Sequence, residues 1–326
     1  MILRFVKLAL MFGFIFQVGA TETLLAQEYP TRPIRVIVAT SPGGVSDIFI
    51  RALGEELHRS LGQPLVIENK PGGSFNIAAK VCAESAPDGY TLCVLSGEPL
   101  TYNQFLFKKI GFDPDKGFAP ITNLFFITQV LAVNSSLNVK SLPELAALSK
   151  AKPGTLSYSA PAVAQALFVE NFKKETGADI VHVPFRGGGE AIIGLLNGST
   201  PVVFLGLGNL IAQIRGGKAI PLVVDSEKRS ALIPEIPTLK EVGYRGDITR
   251  SYFGILAPAA TPQSIIMKLH GAIARIVREP LFADRNLTQR GLEPAINNTP
   301  AEFSSFIKSD RKAAEQIVKA SGLEPQ

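Results

Sequence analysis

Short β-branched runs alternate with longer amphipathic ones along nearly the whole chain, and that rhythm leaves few folds open. Residues 34–39 (Ile-Arg-Val-Ile-Val-Ala) read as a buried strand, broken by Ser41-Pro42-Gly43-Gly44. Residues 47–61 follow, with Ile50, Leu53, Leu57 and Leu61 at helical spacing and Gly62 as the stop. Strand, helix and strand patterns recur at 65–67, 76–85 and 91–95. Such alternation predicts βαβ units and mostly parallel sheets in an α/β protein.

The later chain repeats the theme. Strands are expected at 155–158, 180–183, 201–205, 220–224 and 253–256, and helices at 142–150, 162–176, 190–196, 262–278 and 300–319. Proline at the first turn of the last two helices suits a helix start. No low-complexity linker occurs, so two lobes would be joined by ordered crossings, one near 124–133 and one near 250–256. That division makes residues 28–128 plus 252–326 a discontinuous first lobe and 129–251 a second.

At the N-terminus, Arg4 and Lys7 flank an apolar run over 6–20, followed by small and polar residues. This is the pattern of a secretory signal peptide over 1–26, cleaved after Ala20 or Ala26. An uncleaved anchor would need about 20 apolar residues, more than the run supplies. In an oxidising compartment the two cysteines, Cys82 and Cys93, are either a disulfide or two buried thiols. The net charge is +5, but its Lys and Arg are scattered, which argues against nucleic acid as a partner.

The chain lacks the sequence marks of common catalysis: no G-x-S-x-G, no H-E-x-x-H and no G-x-x-x-x-G-K-[ST] occurs. Its three histidines, His58, His182 and His270, stand apart, and no Cys/His cluster suggests a metal. No catalytic residue, cofactor or metal is therefore expected. What remains is a set of Gly/Pro/Ser loops between strands and helices: 41–44, 69–74 and 159–162. Loops at the carboxyl ends of strands, heading helix N-termini, suit an anion, although each is also readable as a plain turn.

These loops sit within longer motifs. Tyr29-Pro30-Thr31-Arg32-Pro33-Ile34, Ser41-Pro42-Gly43-Gly44-Val45-Ser46-Asp47, Asn69-Lys70-Pro71-Gly72-Gly73, Pro87-Asp88-Gly89-Tyr90-Thr91-Leu92, His182-Val183-Pro184-Phe185-Arg186-Gly187-Gly188 and Pro234-Glu235-Ile236-Pro237-Thr238 resemble the substrate-binding proteins of tripartite tricarboxylate transporters, the Bug receptors. The resemblance implies a two-lobed α/β fold of the type II periplasmic-binding-protein kind. It implies a periplasmic monomer that closes on a small organic acid and hands it to membrane permease subunits, without a cofactor. Carried over, one pincer loop is Ser41, Pro42, Gly43, Gly44 and Asp47, the second is Ser159, Ala160, Ala162 and Gln165, and Gly73, Ser74 and Phe75 flank the cleft.

The match is uneven. The family's second pincer usually reads Ser-Pro-Gly-Asn-Gly-Ser, where this chain has Ser159-Ala160-Pro161-Ala162-Val163-Ala164. A glycine pair common after Asn-Lys-Pro-Gly is replaced by Ser74-Phe75. These changes point to a more apolar or aromatic acid than a plain dicarboxylate. The alternatives are an exported α/β enzyme on a similar acid and a sensor reporting to a signalling partner.

Overall fold

The computed structural model describes residues 29–160, 162–185, 188–244, 250–295 and 299–325. The expected leader, both cleavage points, Pro161 and the Arg186-Gly187 pair lie outside the described residues. The chain starts with β1 (Ile34–Val38), α1 (Val45–Leu61), β2 (Leu65–Asn69), a 3-10 turn at Gly73–Phe75, α2 (Asn76–Ala83) and β3 (Thr91–Ser96). Two single-turn helices, α3 (Glu98–Thr101) and α4 (Asn103–Leu106), lead to β4 (Phe118–Ile127). After Thr128 come β5 (Gln129–Asn134), α5 (Leu142–Ala151), β6 (Leu156–Ser159), α6 (Val163–Thr176), β7 (Ile180–His182), α7 (Gly188–Asn197), β8 (Val202–Gly206), α8 (Leu207–Arg215) and β9 (Ala219–Val224). The chain then returns through β10 (Tyr252–Pro258), α9 (Gln263–Val277), α10 (Pro280–Asn286), β11 (Leu292–Pro294) and α11 (Pro300–Ser321).

Two sheets result, ordered β11-β4-β10-β3-β1-β2 and β7-β6-β8-β5-β9. They are mixed, not mostly parallel as the alternation suggested. β1 pairs in parallel with β2 and β3, whereas β10 runs antiparallel to β3 and β4; β5 is likewise antiparallel to β8 and β9. The cause is the crossing itself. βαβ strands end at the gap between the sheets, but β5 and β10 enter from that gap and so point the other way.

Helix α1 shows how local pattern becomes packing. Ile50, Leu53 and Leu57 are fully buried beside Ile34, Val36 and Val38, each such side chain contributing about 1.5–3 kcal/mol. Gly62 ends the helix at φ 76°, a conformation that glycine adopts without a Cβ penalty.

Cys82 and Cys93 join α2 to β3 as a disulfide with Cα atoms 6.0 Å apart, both residues fully buried. The bridge closes a loop of sequence separation 11. Loop-closure entropy for that length predicts that the Cys82→Ala/Cys93→Ala double variant unfolds in urea with about 3 kcal/mol less stability. A loss under about 1 kcal/mol would show that packing, not the cross-link, holds α2.

Helix α11 opens on a capping box between Thr299 and Glu302. Phe303, in its first turns, packs under Gly254 of β10 in the first sheet. Its later residues Ala314 and Val318 pack on Ala164 and Leu167 of α6, with Tyr102. The last helix therefore touches both halves, not the first alone.

Candidate functional site

Strands β1, β3, β6 and β8 all end on the side of their sheet where the crossings enter β5 and β10, and the loops that follow them open there. In the first loop Ser41, Pro42 and Gly43 are exposed. Asp47, by contrast, is 2 % exposed. Its Oδ2 accepts from the Gly43 N–H at 2.9 Å and from Arg51 Nε at 3.0 Å, and its Oδ1 accepts from Arg51 and from Asn69 Nδ2, each at 2.9 Å. Asn69 also donates to the Thr40 carbonyl at 2.9 Å. Burial alone would raise the Asp47 carboxyl, but the Arg51, Gly43 and Asn69 hydrogen bonds outweigh it and hold it below the ordinary carboxylate value. Its lone pairs are spent on shaping the loop.

The positive φ of this loop falls on Gly43, at 81°. Gly44 is extended, at φ −66° and ψ 160°, and is the residue before helix α1. A Cβ at Gly44 would come within 3.0 Å of both Cβ and Oγ1 of Thr40. The loop thus keeps its backbone bare beside the first turn of a helix, where N–H groups lack intrahelical partners and the dipole is positive.

The second loop leaves β6. Ser159 and Ala160 are buried, and the Ser159 hydroxyl has no hydrogen-bond partner. Ala162 precedes α6 in the extended region without a side-chain cap, leaving that helix N-terminus bare. Gln165 is fully buried. Its Nε2 donates to Asp225 Oδ2 at 3.0 Å, and its Oε1 accepts from the Ser251 hydroxyl at 3.4 Å, so both ends of the amide are engaged inside the protein.

The third loop is strained. Ser74 and Phe75 have φ of 50° and 70°, left-handed values for two residues that carry Cβ atoms. Such positions cost on the order of 1–3 kcal/mol each and persist only where the surroundings impose them. Asn103 Nδ2 donates to the Ser74 carbonyl at 2.8 Å, Phe75 N–H to the Gly72 carbonyl at 3.0 Å, and the Phe75 ring meets Phe253 edge-on at 6.3 Å.

Sequence reasoning missed the crossings' own chemistry. Glu293 of β11 accepts from the Thr128 hydroxyl at 2.7 Å and from Arg250 at 2.6 Å. Asp225, after β9, accepts from the Gln129 N–H at 2.8 Å and reaches Ser251 through Gln165. One carboxylate from each side thus holds neighbouring residues of both crossings. Nothing local marks these residues, because their partners lie 43 to 165 positions away. His182 sits on an exposed edge strand, its ring stacked on Tyr158 at 4.8 Å. Among the described residues no group of three or more His, Cys, Asp or Glu is placed to hold a metal, and no helix is long and apolar enough to cross a membrane.

Two α/β units joined by two tied crossings, with glycine-bearing and helix-heading loops across the gap, define a two-lobed solute receptor of the periplasmic-binding type. Comparisons with known proteins agree. The family model described as "Tripartite tricarboxylate transporter family receptor" matches residues 49–323, and the chain belongs to that family of receptors, which are not enzymes. It is 32 % identical over 312 residues, 95 % of each chain, to Protein BugT of Bordetella pertussis (strain Tohama I). Among solved structures, an R. palustris protein with adipate superposes at TM-score 0.84 with 28 % identity, covering 91 % of this chain and 100 % of that one. MatC from Rhodopseudomonas palustris with bound malate superposes at TM-score 0.78 with 27 % identity, covering 89 % and 100 %.

Proposed function

We propose that this protein is a periplasmic receptor that captures a small organic carboxylate between its lobes and delivers it to the membrane subunits of a tripartite tricarboxylate-type transporter. The observation that carries the reading is the pair of bare helix N-termini, α1 behind Ser41–Gly44 and α6 behind Ser159–Ala162, presented to one gap from opposite sides. Backbone N–H groups there can hold a carboxylate that the two dipoles favour. Relatives with adipate and malate support the ligand class. Asp47 shapes the first loop without touching the solute, and closure turns about the crossings at Thr128 and Ser251.

Titration calorimetry with adipate, malate and their homologues tests the reading, with small-angle scattering beside it. A binder that shortens the radius of gyration is expected. A protein that binds no carboxylate in such a panel is not this receptor. Within the panel, Gly44→Val should weaken binding by about tenfold to a hundredfold, the effect of roughly 1–3 kcal/mol from overpacking against Thr40 and crowding the approach to the loop. Normal affinity in that variant would move the carboxylate off the first loop.

The strained Phe75 supports a more apolar or aromatic acid, because a ring is kept beside the cleft where glycine would be relaxed. Phe75→Gly relieves the left-handed backbone and forfeits the Phe253 edge contact, worth about 0.5–1.5 kcal/mol, so stability should shift by less than about 1 kcal/mol. Affinity should fall about tenfold if the ring covers the solute. Unchanged affinity would assign Phe75 to packing alone.

A further inference from the structure

Between α3, the start of α6, the second crossing and α11 lies a small, partly open pocket of about 10 Å³, lined by Glu98, Thr101, Ala164, Ser251, Tyr252 and Asp310 among others. That volume holds a single water-sized group. Its walls are unusually rich in acceptors. Asp310 is 8 % exposed and neither it nor Glu98 forms an ion pair with any described residue. Tyr252 is 1 % exposed and its hydroxyl has no hydrogen-bond partner. Asp310 and the half-buried Glu98 are hydrogen-bonded to Thr101 and Ser96, but neither faces an opposite charge, and the Tyr252 hydroxyl stands beside them without a partner.

We propose that this space is a subsite for a primary ammonium group, and hence that the solute is an amino-bearing organic acid. The inference rests on the carboxylate-receptor reading above. An ammonium is water-sized and carries three donors with no acceptor, which matches the carboxylates of Glu98 and Asp310 and the Tyr252 hydroxyl. The subsite sits beside both pincers' supports: Glu98 lies two residues beyond the end of β3, and Ala164 two residues beyond Ala162. Its acidic and phenolic groups all come from the first lobe, and Ala164 of the second lobe forms one wall. Burial raises both carboxyls, Asp310 to about 7 with Glu98 adding to the shift, as expected of acids without a counter-ion. Arg250 borders the same space; one guanidinium nitrogen is held by Glu293 at 2.6 Å and the group lies over Phe126 at 4.5 Å, while its Nε has no hydrogen-bond partner. Gly97 is required for the wall, since a Cβ there would come within 2.6 Å of the Tyr252 ring.

The test is calorimetry on matched acids that differ only in the α-amino group: succinate and aspartate, glutarate and glutamate, hydrocinnamate and phenylalanine. At least one amino member should bind about thirtyfold or more tightly than its partner, the effect of roughly 2 kcal/mol for a buried charge pair. In Glu98→Gln and Asp310→Asn, checked by thermal melts for folding, that preference should fall below about threefold while the plain acid keeps its affinity. If plain acids bind as well as their amino partners, or the preference survives both substitutions, the space holds water and the inference is overturned while the receptor reading stands. If neither plain nor amino acids bind, the receptor reading fails and the inference with it. The comparison on the unaltered protein decides the matter even if a variant does not fold.

Discussion

Asp225 and Asp310 are expected to make the ligand-free protein lose stability as pH rises from about 4 to about 7, a loss that His182 and His270, held below the ordinary imidazole value by burial, offset in part near the top of that window. Asp225 and Asp310 are each 8 % exposed, and burial, the leading cause, pushes both carboxyls up to about 7 from 3.8. Hydrogen bonds from Gln129 and Gln165 to Asp225 offset only part of that. In this interval the folded protein holds protons that the unfolded chain releases, so stability is highest near pH 4 and declines towards pH 7. A shift of this size corresponds to at most about 4 kcal/mol for each group. Asp47, Glu68 and Glu241 have the opposite shift and contribute stability that is lost only as pH falls below the ordinary carboxylate range. Urea melts at pH 4.5, 5.5, 6.5 and 7.5 (about one unit apart, spanning the window) measure the slope. Asp225→Asn should remove about half of it, since the amide oxygen can still accept from Gln129. A profile that is flat or rises across the window would show that these carboxyls are ionised at little cost in the folded protein.

Gly254→Ala is expected to be among the most damaging single-methyl additions. An added Cβ would stand 2.2 Å from Cζ and 2.6 Å from Cε1 of Phe303, a ring with no exposure, held edge-on to Tyr252 with ring centres 6.1 Å apart. The ring is rigid and enclosed, so the strain passes to β10 or to α11. Overpacking of this kind costs about 1–3 kcal/mol and occasionally more; about 3 is expected here. Because α11 rests on β10 and also on α6, a displaced helix should loosen the contact between lobes as well. The double variant Gly254→Ala/Phe303→Leu should recover part of the loss, a coupling of about 1 kcal/mol or more in a mutant cycle. Additive effects would mean that the methyl finds room without moving Phe303.

Much of the local structure was legible in the chain. The helix ending at Gly62 was readable from Ile50, Leu53 and Leu57, and the Cys82–Cys93 pair from its compartment and count, though not its bonding. Helix α8 was overlooked, although Leu207, Leu210, Ile211 and Ile214 carry helical spacing. The stretch over 124–133 was one apolar run in sequence, whereas the structure divides it at Thr128 into strands of different sheets. Periodicity has no mark for that division, because both strands are buried and both read as continuous β-branched or aromatic runs. The loops at 41–44 and 159–162 were marked in sequence by glycine, proline and serine, whereas the partners of Asp47 and Gln165 were not. A side chain's partners decide whether it faces solute or protein, and partners are a tertiary property.

By itself, then, the order of residues determined the elements, the turns that interrupt them and the family to which the chain belongs, since these depend on neighbours within a few positions. The tertiary structure alone decided strand direction in each sheet, the carboxylate ties of Asp225 and Glu293 across the crossings, and the meeting of Glu98, Tyr252 and Asp310 around one small space. Those arrangements join residues far apart in the chain, Arg250 and Glu293 by 43 positions and Thr128 and Glu293 by 165. They are stabilised by burial and by hydrogen bonds that exist only in the folded protein, and so leave no periodic or compositional trace in the chain.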